Sequence, residues 1–284
     1  MARASLLGTA VAGAVWGIGS RLPHWARRTV CAVGPWLVVV RTPASVRQWE
    51  GNAATALGRP ATGTERRLLV RSWLRNNLMS LSLASWSDED VLSRVVISEV
   101  DVAKLRQSLA GPGLVLAIPH MGSWDFAGAW CARVGIKVLS VAEKLPRGLY
   151  ERFRDARAGM GMDIVPLGHP DLMRCLVDGV RSGEAVCLLS DRDLSGRGIP
   201  VRWPGVHEPV HVPAGPAILS RITGCDLRVA STVFRGDNVE IRIGDVVPRD
   251  TTTAMMTEVV GQFAAAVRRD PTSWLMLQPF FGRT

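Results

Sequence analysis

His120 and Asp125 lie five positions apart in the stretch Ile118-Pro119-His120-Met121-Gly122-Ser123-Trp124-Asp125, and the pair has the makings of a general base. On one continuous helix a five-residue step would separate the side chains by roughly 140°, given about 3.6 residues per turn. Across a turn the chain can fold back, so that the carboxylate bonds one ring nitrogen and selects the tautomer, leaving the other nitrogen as a base. A hydroxyl within reach of that nitrogen would lose its proton while attacking an activated acyl carbonyl. No nucleophilic residue beside His120 is needed to carry the acyl group.

Spacing alone is a weak signal; its setting strengthens it. Residues 113–118 form a short apolar run that opens on glycine and reads as a buried strand. Ser123 is positioned to cap a helix over 123–133 whose first turn holds Asp125. The pair therefore falls where a strand gives way to a helix, the usual place for chemistry in an open α/β sheet. Further candidate strands are 136–141, 162–165, 185–189, 226–234 and 238–243. Candidate helices are 45–57, 64–83, 149–158, 170–182, 213–223 and 252–268, and Ser87-Asp88-Glu89-Asp90 reads as another cap with an acidic first turn. The pattern predicts an α/β fold with a mainly parallel or mixed central sheet covered by helices, preceded by an α-helical N-terminal layer. Without repeats or an evident linker, 1–284 reads as a single domain.

Two further segments sit at the same strand edge. Glu143 follows the second strand, and the helix after it carries Arg152, Arg154 and Arg157. Arg154 and Arg157, three apart, share a face and could clamp a phosphate, while Arg152 reads as solvated. Ser190-Asp191-Arg192-Asp193 ends the strand at 185–189. Its use would be a second orienting carboxylate for His120 and a cation for a phosphate; the plainer alternative is a solvated turn. A metal-dependent phosphoesterase built on His120, Asp125, Asp191 and Asp193 is the rival from another class, although the set is poor in metal ligands.

The net charge of +9 points to an anionic partner surface, and ten Trp against one Tyr tilt the choice toward a membrane. No nucleic-acid-binding signature accompanies the charge. Cys31, Cys131, Cys175, Cys187 and Cys225 are odd in number and lack metal or redox spacing, which suits buried, reduced thiols. His207 and His211 are separated by Pro209, so a helical ligand pair is not expected, and no metal site is. Before Glu50 there are six arginines (Arg3, Arg21, Arg27, Arg28, Arg41, Arg47), no acid, and apolar runs at 6–18 and 30–40. Both runs are shorter than the ~20 residues of a spanning helix. Residues 1–44 are expected to form a cationic helical segment lying on a membrane, or a helix pair of the core.

Taken together these segments resemble the phosphatidylinositol mannoside acyltransferases of actinobacteria, relatives of the late acyltransferases of lipid A. The resemblance rests on 118–125, on Val141-Ala142-Glu143-Lys144-Leu145 with Leu149-Tyr150-Glu151-Arg152-Phe153 and Arg157, and on Asp191-Arg192-Asp193-Leu194 with Gly198 and Val201. It continues in Val212-Pro213-Ala214-Gly215-Pro216-Ala217 and Trp274-Leu275-Met276-Leu277-Gln278-Pro279. It implies a glycerolipid-acyltransferase-like fold with an acyl channel, and transfer of a long-chain acyl group, typically palmitoyl, from acyl-CoA to a mannose hydroxyl of the glycolipid. It also implies a peripheral enzyme on the cytoplasmic face of the cell membrane, needing no cofactor beyond acyl-CoA as donor substrate. Carried over by position, His120 is the base, Asp125 its local partner, and Glu143 and Arg157 belong to the groove. Asp191 stands where mycobacterial members have Glu, one methylene longer. Asn76, Asn77, Leu78 and Met79 replace an aromatic-rich segment, a departure that bears on the acceptor sugar.

Overall fold

The computed structural model describes residues 22–143, 149–193 and 196–282; the apolar run at 6–18, with Arg3 and Arg21, lies outside them. The helical N-terminal layer consists of α1 (His24–Arg41), α2 (Ala44–Leu57) and α3 (Gly63–Ser82). Short elements follow, α4 (Asp88–Leu92), β1 (Val95–Val96) and α5 (Glu99–Ala110). The α/β body then runs β2 (Leu114–Ile118), α6 (Trp124–Arg133), β3 (Val138–Ala142), α7 (Leu149–Gly159), β4 (Met162–Pro166), α8 (Leu172–Arg181) and β5 (Ala185–Leu189). It closes with β6 (Ile199–Arg202), β7 (Pro209–Val212), α9 (Gly215–Thr223), β8 (Asp226–Arg235), β9 (Asn238–Ile243) and α10 (Thr252–Arg269).

Seven strands form one sheet in the order β1-β9-β8-β2-β5-β3-β4, parallel except where β8 meets β9. β2 is apolar without alternation because it lies mid-sheet with helices on both faces, whereas β9, nearer the edge, alternates buried and part-exposed residues. The chain runs β2–α6–β3 past β5, then returns through β4 and α8 to insert β5 beside β2. The two crossovers progress in opposite directions, so their helices cover opposite faces. Leu114, Leu116 and Cys187 pack with α5 and α6, while Val115, Val186 and Leu188 pack with α8, α9 and α10.

The expected strands and longer helices are present within two residues at each end. α5 was not expected, because its sequence is polar and buries only Leu105 and Ser108. The β6–β7 hairpin was hidden by its prolines, Pro200 and Pro209, which an isolated two-stranded ribbon tolerates. Among the described residues no single helix is long and apolar enough to cross a membrane; α1 and α2 meet at a bend of 91°. The tryptophan count has a second explanation besides membrane contact: Trp49, Trp130, Trp203 and Trp274 are core residues, while Trp25, Trp36 and Trp73 are exposed.

A strap at 274–280 ties the helical layer to the sheet. Trp49 on α2 donates its indole N–H to the carbonyl of Trp274 (2.9 Å). Buried Asn52 donates to the carbonyls of Met276 (2.9 Å) and Gln278 (2.7 Å) and accepts from the Phe280 N–H (3.3 Å). Asn52→Ala orphans all three groups, so we expect a loss of about 3 kcal/mol, at roughly 1–3 kcal/mol per buried unsatisfied group. Urea unfolding checks this: the midpoint should fall with the m-value unchanged, and an unmoved midpoint would show the strap to be held otherwise.

Candidate active site

β2 and β5 are parallel neighbours in a register that pairs Ile118 with Leu189. Two residues beyond each paired end stand His120 and Asp191, so the sheet itself sets them side by side. The Ser190 N–H donates to the Ile118 carbonyl (2.9 Å) and continues the ladder into the loops. Asp191 has no exposed surface. One carboxylate oxygen meets His120 Nδ1 at 2.5 Å; the other accepts from the His120 backbone N–H (2.9 Å) and the Trp274 indole N–H (3.0 Å). Burial alone would raise this carboxyl's pKa, but the facing His120 charge and the three hydrogen-bond partners prevail and hold it below the ordinary carboxylate range. The ring orientation is set by Asp191, and Nε2 is the nitrogen left to the cavity. The shorter side chain therefore reaches the ring directly.

The turn that carries His120 is clamped from two sides. Gly122 has φ +58°, and a Cβ there would lie 2.3 Å from the Thr232 carbonyl oxygen on β8, so only glycine fits. The Thr232 hydroxyl accepts from the Ser123 N–H (2.8 Å) and donates to the Met121 carbonyl (2.7 Å). On the other side Ser273, just before the strap, offers its carbonyl to the Gly122 N–H (2.9 Å), and the strap takes the His120 carbonyl on the Leu275 N–H (2.7 Å). Ser123 stands at the N-cap of α6 but makes no side-chain cap bond, contrary to expectation: its buried Oγ has no hydrogen-bond partner among the described residues, while its backbone N–H donates to Thr232. Trp124 packs against the imidazole in a T-shaped contact, with centroids 5.4 Å apart.

Asp125 is not the partner of His120. Its buried carboxylate accepts from Arg157 Nε on α7 (2.8 Å), and Arg157 also lies over Phe153. The reason is directional: Asp125 sits in the first turn of α6, on the face turned to α7, while the ring is already taken by Asp191. Arg157 and Asp125 both reach the cavity wall, as do Glu143, Arg192 and Asp193. Arg154 does not share this position; it is exposed and pairs with its neighbour Asp155 (2.8 Å), so the expected Arg154–Arg157 clamp is absent. The Asp193 carboxylate closes its own loop by accepting from the Gly198 N–H (2.8 Å). Arg192 is half-buried, and its Nε has no hydrogen-bond partner among the described residues.

The cavity that these groups border has a volume of about 980 Å³ and mostly apolar walls. Cys131 and Cys187 are part of its wall, and neither is a nucleophile: burial pushes the Cys131 thiol up to about 12 and raises Cys187 as well. Among the described residues no three of His, Cys, Asp and Glu converge as metal ligands. Thr232 and Trp274 escape sequence reasoning because they act on Ser123 and Asp191 across 109 and 83 residues.

A family model described as bacterial lipid A biosynthesis acyltransferase matches residues 4–283. A protein of Mycolicibacterium smegmatis named phosphatidylinositol mannoside acyltransferase is 35% identical over 192 residues, 63% of this chain and 60% of that protein. A protein of the same name from Mycobacterium tuberculosis is 35% identical over 181 residues, 60% of this chain and 55% of its own length. The match thus spans less than two thirds of the curated relatives.

The two carboxylates should fail differently. Asp191→Asn presents an amide to a site built around three donors, so turnover should fall by at least about 10²-fold, the contribution typical of a positioned base. The carboxylate's depressed pKa stabilises the fold at every pH above the unfolded value of about 3.9, and this is lost as pH falls through the folded value. Asp191→Asn should therefore lower urea stability at neutral pH by on the order of 3 kcal/mol, with the gap to wild type closing in acid. Asp125→Asn and Arg157→Ala should be non-additive in a double-mutant cycle. Additive losses, or a larger kcat effect from Asp125→Asn than from Asp191→Asn, would contradict the assignment.

Proposed function

The chain belongs to the bacterial lipid A biosynthesis acyltransferase family, and from that footing we propose that it transfers a long-chain fatty acyl group, palmitoyl being the expected one, from acyl-CoA to a mannose hydroxyl of a phosphatidylinositol mannoside. The observation that carries the reading is a histidine locked through Nδ1 to a buried carboxylate, with Nε2 left to a large apolar cavity. Nε2 takes the proton of the acceptor hydroxyl as its oxygen attacks the thioester carbonyl. The tetrahedral intermediate collapses with cleavage of the C–S bond. The proton held on His120 passes to the departing sulfur, so that thioester and alcohol become ester and thiol. Protonated Cys131 and Cys187 supply no acyl-enzyme, which fits direct transfer. Arg157, anchored by Asp125, offers the rest of its guanidinium to a phosphate of either substrate.

The same reading includes a peripheral seat on the cytoplasmic face of an anionic membrane. The support is α1, which turns Trp25, Val33, Trp36, Leu37 and Val40 outward while packing its other side on α3. Trp73 on α3 is also exposed and borders the cavity. An apolar stripe beside arginines is the composition of a helix that lies in the interface.

Two measurements test the proposal. His120→Ala should reduce acyl transfer from palmitoyl-CoA to purified phosphatidylinositol mannosides by about 10²–10⁴-fold with unchanged circular dichroism, and EDTA should leave the wild type active. Near-normal turnover in the variant, or EDTA inhibition reversed by a divalent metal, would remove His120 from this role. Separately, a Trp36→Asp/Val40→Asp double variant should sediment less with anionic vesicles than wild type. Equal sedimentation would take α1 out of the membrane contact.

A further inference from the structure

The cavity at His120 descends both faces of the sheet. Along β5 the side chains alternate, so that Cys187 faces α6 while Leu188 faces α8 and α9, and both border the same cavity. On the α6 face its wall includes Leu116, Cys131, Val138 and Met162, none more than 7% exposed. These four side chains are buried, and exposed Trp73 and Asn77 of α3 also border the cavity. On the opposite face the wall is built from Leu167, Leu172, Met173, Leu176, Leu188 and Pro213, without a titratable side chain among them. This arm is open, since Leu167 and Met173 are 38% and 37% exposed while Leu176 and Leu188 are buried. The two arms join at the strand ends, beside His120, Ser190 and Arg192.

We infer that the open arm between β5 and α8 binds the hydrocarbon tail of the acceptor lipid, leaving the buried arm under α6 to the donor chain as the acyl channel that the family resemblance implies. The inference rests on the acyl-transfer reading. Both substrates of that reaction carry long apolar chains, and the two arms differ in the way the substrates differ. A donor delivered from water gains most from an arm that removes its whole chain from solvent. An acceptor drawn from a bilayer keeps part of its body outside, so its tail needs an arm with a side entrance. The polar pantetheine chain of CoA, with its amides, finds no hydrogen-bonding side chain among these residues of the open arm and would be left unsatisfied there. Between the open arm and His120 stand Ser190 and Arg192, polar groups at the level where a headgroup would bridge tail and reacting hydroxyl.

Photolabelling tests this without depending on turnover. A phosphatidylinositol mannoside with a diazirine near the middle of one tail, presented in detergent micelles, should cross-link to the peptide containing residues 167–176. Excess palmitoyl-CoA should not displace it, and Met173→Glu, a change at an exposed position, should cut labelling about tenfold. In kinetics the same variant should raise KM for the tailed acceptor about tenfold relative to KM for the deacylated, water-soluble headgroup. Labels falling instead on the wall at Cys131 or Val138, or displacement by palmitoyl-CoA, would overturn the assignment. So would an equal change in KM for both acceptors. If the wild type labels as expected yet transfers no acyl group, the acyl-transfer reading fails and the tail site stands.

Discussion

A carboxylate with no access to water governs this architecture. Asp191 could not remain ionised at full burial without the His120 ring, the His120 backbone N–H and the Trp274 indole N–H arranged around it. Each partner imposes a demand elsewhere. The backbone contact requires β2 and β5 to be neighbours in one register. The indole contact requires the chain to return from α10 and pass under the His120 turn. That strap in turn is held by Trp49 and Asn52 of the helical layer. Sheet order, strap and N-terminal layer thus converge on the solvation of one charge, and the catalytic geometry is set from segments spread over most of the chain.

What could be read from the sequence follows the range of the interaction. Strands and helices of the body are written in local apolar runs and periods, and so is the position of His120 at a strand end. The α/β class with its helical layer followed from them. The assignment of carboxylates did not, because Asp125 is near His120 in sequence while Asp191 is near it in space. Only the strand order decides between them, and that order comes from a crossover that skips β5 and a later return that fills the gap. Arg154 and Arg157 show the same limit at smaller scale: a shared helix face was legible, but not that Arg157 would find Asp125 while Arg154 turned to solvent. Thr232 left no local sign, and Trp274 stood out only as part of the C-terminal family segment, without a hint of its bond to Asp191.

The division of labour between the acids has an electrostatic logic. A single carboxylate serving both the imidazole and an arginine would be shared between two donors and would fix neither well. Here the imidazole and the guanidinium each have their own buried acid, and His120 and Asp125 stand at opposite ends of one turn that Gly122 and Thr232 keep rigid. The result is two separate hydrogen-bonded pairs instead of one diffuse network. Each leaves one function exposed to the cavity: Nε2 of the ring, and the guanidinium nitrogens not bonded to Asp125.

On the proposed acyl transfer the site must also favour a lipid hydroxyl over water, since a base that activates one would activate the other. The means available are exclusion and proximity. The polar wall groups are in part committed elsewhere, Asp125 to Arg157 and Asp193 to the Gly198 N–H, while Trp124 packs against the ring and the deeper walls are apolar. An acceptor anchored at a second point gains an effective concentration near the base that solvent, excluded by the same walls, cannot match. On that proposal, selectivity for transfer over hydrolysis arises from apolar packing on two faces of one sheet, with the His120–Asp191 couple supplying the base.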